Sequence, residues 1–359
     1  MNFADITDIN IPAGDVMKIQ AQDGTTLWEK PFTGATFAMY FKRSDDVMEN
    51  GFVIRNDGLV KIVINDGYFL SDDRTTNIGN SRILDSSMSG SWIYYKNTSD
   101  PTVVTVYNPQ NITELRLGLN YSQLYSFSNM SSLTNLKTLE INSPKSFTQT
   151  FSVSNLPSLQ SLRISRNSFT VAEGAVAMQN ISISNLPALT NLDCQAGSTL
   201  SLSGCPNLVD AYISARTISG GLNALSGLTN LKTLNLINIT SSDNLSAFSR
   251  LTKLEGLYLP SCLYITGDLS ALSNLVNLKY LSLGDCINAT GNLSSLSRMS
   301  SLLSLSLSSS VIQPNNNGGY SQINSKFTGD ASVMNTYAPN LRTFDYKYSA
   351  ITGTWTPNS

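Results

Sequence analysis

The 359-residue chain contains no histidine. That removes the Ser-His-Asp arrangement of a hydrolase, because its general base is missing. It also removes the commonest zinc ligand, and the four cysteines, Cys194, Cys205, Cys262 and Cys286, include no C-x-x-C pair. A zinc site therefore has no ligand set to build on. Charge is scarce as well: Asp, Glu, Lys and Arg make up 13% of the chain, against roughly 25% in ordinary globular domains. The net charge of −2 gives no broad attraction to phosphate, so no nucleic-acid partner is expected. No stretch approaches the roughly 18 apolar residues of a membrane-spanning helix, and no membrane insertion is expected. Residues 1–8 have neither a basic start nor an apolar run, so the expectation is a chain made without a signal peptide. No glycine-rich phosphate loop precedes a helical pattern. Asp45-Asp46 and Asp72-Asp73 are the candidate calcium carboxylates, but neither pair has the spacing of an EF-hand loop, and calcium binding stays open. No cofactor, no metal and no enzymatic activity are expected.

What the chain has instead is a recurring phrase. Leu254-Glu-Gly-Leu257-Tyr-Leu259-Pro-Ser-Cys262 returns 24 residues later as Leu278-Lys-Tyr-Leu281-Ser-Leu283-Gly-Asp-Cys286. Both fit L-x-x-L-x-L-x-x-N/C, the pattern of a leucine-rich repeat. About ten units can be followed, starting at Ile112, Leu136, Leu159, Leu189, Leu208, Leu231, Leu254, Leu278, Leu302 and Leu341. Most steps are 23 or 24 residues; the steps from 159, 189 and 302 are 30, 19 and 39. One unit cannot bury its own leucines, so neighbours must stack into a solenoid. The pattern predicts a right-handed, curved coil with a parallel sheet on its concave side.

The return path of each unit comes in two kinds. Phe151-Ser-Val153-Ser-Asn-Leu156-Pro, Ile181-Ser-Ile183-Ser-Asn-Leu186-Pro and Leu200-Ser-Leu202-Ser-Gly-Cys205-Pro alternate with period two, which predicts a second short strand. From Ile218 onward the phrase changes to Ile265-Thr-Gly-Asp-Leu269, Ala289-Thr-Gly-Asn-Leu293 and Phe327-Thr-Gly-Asp330. Leu269, Leu272, Leu275 and Leu278 then follow three apart, which predicts a short helical or 3₁₀ return. The character of the coil should therefore change near residue 215.

Ahead of the repeats, residues 32–110 contain Thr36-Phe-Ala-Met-Tyr-Phe41, Phe52-Val-Ile, Leu59-Val-Lys-Ile-Val-Ile64 and Val103-Val-Thr-Val-Tyr107. Asn56-Asp-Gly58 and Asn65-Asp-Gly67 mark turns between some of them. They predict a small β-domain whose last strand covers the first repeat, since an open coil end exposes leucines. In residues 1–31, Asp23-Gly24 between apolar segments is a hairpin signal. The whole reads as mainly β with short helical or 3₁₀ turns: a hairpin-like segment 1–31, a capping β-domain 32–110 and a leucine-rich repeat solenoid 111–359.

Cys262 and Cys286 hold the same position in adjacent units. Stacked strands lie about 4.8 Å apart, so a disulfide between them is geometrically open; buried free thiols are the expected state.

The segment Ile9-Asn-Ile11-Pro-Ala-Gly-Asp15-Val-Met-Lys18-Ile19 through Asp23-Gly24-Thr-Thr-Leu27-Trp28-Glu29 resembles the N-terminal segment of structural proteins in tailed phages, notably phages of gut Bacteroidota. The repeats resemble bacterial surface leucine-rich repeats. The resemblance implies a virion-surface protein, a fibre or receptor-binding module, made in the host cytoplasm. It implies attachment to other virion proteins through residues 1–31 and recognition of a host-surface glycan or protein through the repeats. Homo-oligomer assembly stays open. The alternatives are a structural decoration of capsid or tail that touches only virion proteins, a bacterial surface adhesin, or a glycan depolymerase.

Side chains beside the inward leucines face the concave surface, since they alternate along a strand. The central exposed positions read Arg116, Glu140, Arg163, Asp193, Tyr212, Asn235, Tyr258, Ser282, Ser306 and Asp345, with Tyr280 one exposed position before Ser282. Tyrosines on a rigid surface offer contact area at small entropic cost. Two insertions, around Phe169 and around Tyr320, follow concave strands and should emerge on one edge. The candidate binding set is therefore Tyr212, Tyr258, Tyr280, Asp193, Asp210, Asn235, Phe169 and Tyr320. Asp193 with Asp210 is also the candidate carboxylate pair for glycan cleavage, against the plainer reading of a solvated polar face.

Overall fold

The computed structural model describes residues 16–20, 26–31 and 36–41, most of 50–142, and then 151–165, 180–314 and 320–357. The protein is mainly β, with several sheets and short 3₁₀ turns. Among the described residues thirteen strands form one sheet. Ten of these, from Ile112–Leu119 to Thr343–Asp345, run parallel and follow one another in chain order. Each carries one copy of the recurring phrase.

The phrase makes a strand because its two inner apolar residues are two apart and so face the same side. Thr233–Ile237 alternates half-buried and buried along its length. Register then stacks equivalent residues. Leu234, Leu257, Leu281, Leu305 and Phe344 pair in succession. The preceding members of that column are Leu115, Leu139, Leu162, Leu192 and Ala211. All eight leucines of this column, from Leu115 to Leu305, lie inside one continuous apolar core. Burying a leucine side chain contributes about 1.5–3 kcal/mol, so a repeated column is a large part of what holds the strands together.

Polar ladders run alongside. The carbonyl before each strand accepts two N–H groups from the next unit: Lys232 O from Glu255 and Gly256 at 2.7 and 3.0 Å, and Glu255 O from Lys279 and Tyr280 at 2.8 and 3.0 Å. The asparagine preceding the first leucine of a unit ties back to the unit before. Asn230 Nδ2 donates to Pro206 O at 3.0 Å and Asn277 Nδ2 to Thr252 O at 2.9 Å.

On the other side of the core, Phe151–Ser154, Asn180–Ser184, Thr199–Ser203 and Thr217–Ile218 form a second parallel sheet. Their shared turn needs positive φ, found at Asn155, Asn185 and Gly204, residue types that tolerate it. This sheet ends at Ile218, and the first 3₁₀ turn of the new kind, Leu222–Leu225, follows. Later returns pair short strands such as Thr266–Asp268 and Asn288–Asn292 with the turns Leu269–Leu272 and Leu293–Leu296. Asp268 and Asn292 cap those turns, accepting from the Ser270 and Ser294 N–H groups at 2.9 Å. Gly291 between them has φ of 134°, and a Cβ there would stand 2.7 Å from Leu269 N. The Thr-Gly-Asp/Asn-Leu phrase is thus a positive-φ glycine followed by a cap.

The N-terminal closure differs from the expectation. The strand that covers the first repeat strand is Asn50–Asn56, paired antiparallel with Ile112–Leu119. The last strand of the region, Thr102–Tyr107, lies instead in a separate antiparallel sheet between Thr36–Phe41 and Val60–Ile64. Leu124–Ser128, assigned by sequence to the repeats, joins that second sheet against Thr36–Phe41. A ring contact chain, Phe37 to Phe127 at 5.4 Å and Phe127 to Phe151 at 5.5 Å, carries the core from there into the repeats. Antiparallel pairing wins at this end because a hairpin-rich segment supplies an edge whose register need not follow the repeat. Val16–Gln20 and Thr26–Pro31 pair antiparallel as a two-stranded sheet.

All four cysteines are buried free thiols, so no disulfide joins Cys262 and Cys286. Cys262 donates to Leu236 O at 3.3 Å and Cys286 to Leu259 O at 3.6 Å. Each thiol points at a backbone carbonyl of the preceding unit, not at the other sulfur.

Candidate functional site

The open face of the parallel strands carries two rows of side chains. Strand register places Arg116, Glu140, Arg163, Asp193, Tyr212, Asn235 and Tyr258 in one row, then Ser282, Ser306 and Asp345. The second row holds Ser161, Asn191, Asp210, Thr233, Gly256 and Tyr280.

The first four units of this face are charged, and their charges compensate one another. Arg55 pairs with Glu114 at 3.1 Å, Arg116 with Glu114 and with Glu140 at 3.6 Å, and Arg163 with Asp193 at 3.4 Å. Asn142 Nδ2 donates to Glu140 at 2.8 Å, and Ser165 donates to Asn142. Signs alternate along the row, so each strand faces its opposite charge about 4.8 Å away.

Beyond Arg163 the face opens into a groove of about 380 Å³, within the usual range for ligand pockets. Asp193, Asp210, Tyr212, Asn235 and Tyr258 line it, with Ser161, Arg163, Asn191 and Thr233. Asp193 Oδ1 and Asn235 Oδ1 are buried in its wall and accept no hydrogen bond among the described residues. They stand on the strands either side of Tyr212. Burial pushes the Asp193 carboxyl above the usual carboxylate range; Arg163 opposes this and Glu140 reinforces it. Asn191 Nδ2 donates to Asp210 Oδ2 at 3.4 Å.

Tyr258 continues the groove. Its ring stacks on that of Tyr280, with centroids 6.4 Å apart and planes 22° from parallel. Burial, with Tyr280 second, pushes the Tyr258 phenol upward. Tyr212 and Tyr280 remain exposed by 38% and 40%, which leaves ring faces for a partner.

Five of the candidate binding residues therefore meet in one groove, and Tyr280 adjoins it. Tyr320 does not line it. It sits, 70% exposed, on the hairpin strand Tyr320–Gln322 paired with Ile312–Pro314, beyond the strand of Ser306. Phe169 lies outside the described residues. Arg163, Asn191 and Thr233 were missed as site residues. Asn191 and Thr233 sit two positions before the central one, and side-chain alternation puts that position on the same face. Among the described residues no group of three or more Cys, Asp or Glu is placed to hold a metal ion.

No protein-family model matches this chain, and no curated protein matches it.

Proposed function

We propose that residues 111–359 form a leucine-rich repeat solenoid, carried on a non-enzymatic virion surface protein of a tailed phage. In this reading the protein is a fibre or receptor-binding module. It attaches to other virion proteins through residues 1–31 and recognises a host-surface glycan or protein with the open face of its parallel strands.

The solenoid reading rests on the phrase that recurs in ten successive parallel strands, with its leucines in shared columns. The attachment reading rests on the phage-like residues 9–29. The recognition reading is carried by one observation: three tyrosines, two carboxylates and an asparagine amide converge on one side of a packed sheet. Strands hold these groups in place before a partner arrives, which lowers the ordering cost of binding. The absence of chemistry in the proposal follows from the same groups. Asp193 is paired with Arg163 and Asp210 accepts from Asn191, so both carboxylates are engaged by neighbouring side chains, and the chain has no histidine to act beside them.

The test is binding of the purified protein to host cells, wild type against a Tyr212→Ala, Tyr258→Ala, Tyr280→Ala variant of equal melting temperature. Losing one aromatic anchor costs about 1–3 kcal/mol, so a drop of about 5-fold or more is expected. Equal binding by both removes the tyrosines from the site. Binding by neither, on cells the phage infects, favours a decoration that touches only virion proteins. Particles assembled with residues 1–31 deleted should lack the protein.

A further inference from the structure

We propose that the groove takes a neutral, hydroxyl-rich glycan, seated on Tyr212 and Tyr258 and hydrogen-bonded by Asp193, Asp210 and Asn235. This names the ligand class of the recognition site above and rests on that reading.

Three features of the groove select this chemistry. The first is the order of groups along the row. Asp193, Tyr212 and Asn235 occupy successive strands, so two acceptors about 10 Å apart flank one aromatic ring. Asp193 and Asn235 both line the groove, and one side-chain oxygen of each has no donor among the described residues, so both side chains keep hydrogen-bonding capacity. A ligand that brings hydroxyls to both sides of a ring matches that arrangement. A pyranose does so, with its C–H face on the ring and its hydroxyls at the rim.

The second feature is charge. Among the described residues that line the groove, Arg163 is the only cation, and it is engaged by Asp193. An acidic sugar or an acidic peptide would meet Asp193 and Asp210 with no free positive partner. A cationic peptide is less well matched than a neutral ligand, because Arg163 already neutralises Asp193 and would repel a second cation beside it. That leaves Asp210, itself hydrogen-bonded by Asn191, as the one carboxylate of the groove without a cation among the described residues. Burial, which raises the Asp193 carboxyl, works in the same direction by disfavouring excess charge in the wall.

The third feature is extent. The row from Asp193 to Tyr258 crosses four strands, roughly 14 Å, and Tyr280 prolongs the aromatic surface through its stack on Tyr258. That is a strip for a short oligosaccharide lying across the strands, one ring on Tyr212 and a later ring on Tyr258. A single small molecule would leave one end uncovered.

The experiment is native affinity electrophoresis of the full-length protein through gels containing mannan, galactan or dextran as neutral probes. Polygalacturonate serves as the acidic probe and polylysine as a competing cation. Retardation by at least one neutral polysaccharide is expected. Tyr258→Ala and Asn235→Ala should each weaken it by about tenfold or more. Tyr258→Phe keeps the stacking face and should retain binding, and Tyr264→Ala, an exposed tyrosine outside the groove, should change nothing. The proposal is overturned by retardation with polygalacturonate alone, by no retardation with any neutral probe, by loss to polylysine competition, or by wild-type binding in well-folded Tyr258→Ala and Asn235→Ala. Treating host cells with periodate, which cleaves vicinal diols, or with protease separates the two readings. Cell binding lost only to protease sinks the glycan ligand and leaves host recognition standing. Retardation by a neutral polysaccharide without cell binding supports the glycan groove and sinks host recognition.

Discussion

The ring of Tyr258 lies over the backbone of Gly256, two residues before it on the same strand. A Cβ on Gly256 would stand 2.9 Å from Cε2 of Tyr258. Every other residue that precedes the central position in this row has a side chain, from Ser161 to Tyr280. The missing side chain lets Tyr258 lean across the face until its ring meets that of Tyr280. Gly256→Ala should therefore displace the ring while the strand persists, because a flexible side chain is what must give. A stability change of about 1 kcal/mol or less is expected, with shifted ring resonances of Tyr258 in NMR spectra. Unmoved resonances would mean that the ring does not depend on the gap.

Leu281 is 1% exposed and lies between Leu257 and Leu305 in the inner column. Leu281→Ala should cost about 2–5 kcal/mol, the loss of burial plus the cavity left behind. Leu281→Asp places an unpaired charge there and should prevent stable folding. Denaturant melts of both variants check this. A near-wild-type midpoint for the aspartate would defeat the column assignment.

The thiols should be silent in the native protein. Burial pushes Cys205 and Cys262 up to about 11 and pushes Cys194 and Cys286 well above the ordinary thiol value. The reactive species is the thiolate, so at pH 8 a thiol reagent should label none of the four cysteines until the chain is unfolded. Labelling in the unfolded state alone is the expected result; two groups missing after unfolding without reductant would indicate a disulfide.

The caps give a pH dependence of known sign. Asp268 is held below its ordinary value, 3.8, by hydrogen bonds from Ser270. A depressed carboxyl contributes stability that is present above the unfolded value and is lost as pH falls through the folded one. Asp268→Asn keeps the acceptor, as Asn292 does in the next unit, but removes the titration. The gap between melting temperatures at pH 7 and pH 3 should narrow in this variant. Asn292→Ala loses a neutral cap and should cost about 1 kcal/mol at both pH values.

The repeat strands and the row from Arg116 to Asp345 could be read from spacing, because covalent period and side-chain alternation are local properties. Once Leu254 and Leu278 are 24 residues apart with the same triplet, Tyr258 and Ser282 must face the same way. The same locality let Leu269, Leu272, Leu275 and Leu278 announce a 3₁₀ return, and all four are fully buried.

The closure of the N-terminal end was not legible in this way. Asn50–Asn56 and Thr102–Tyr107 both carry a short apolar, β-forming run, Phe52-Val-Ile54 and Val103-Val-Thr-Val106, and nothing in their composition says which one meets Ile112–Leu119. That choice depends on pairing between distant segments, where register has no sequence period to follow.

What the sequence by itself determined is the row: which residues share a face, and in what order. Only the tertiary structure decided what the row does. It engaged Arg163 with Asp193, left Asp193 Oδ1 and Asn235 Oδ1 without donors, and leaned Tyr258 over Gly256. These outcomes depend on rotamers and on neighbours across strands. A repeat period sets the backbone of each unit, but the side chain's direction is settled only when the adjacent unit is in place.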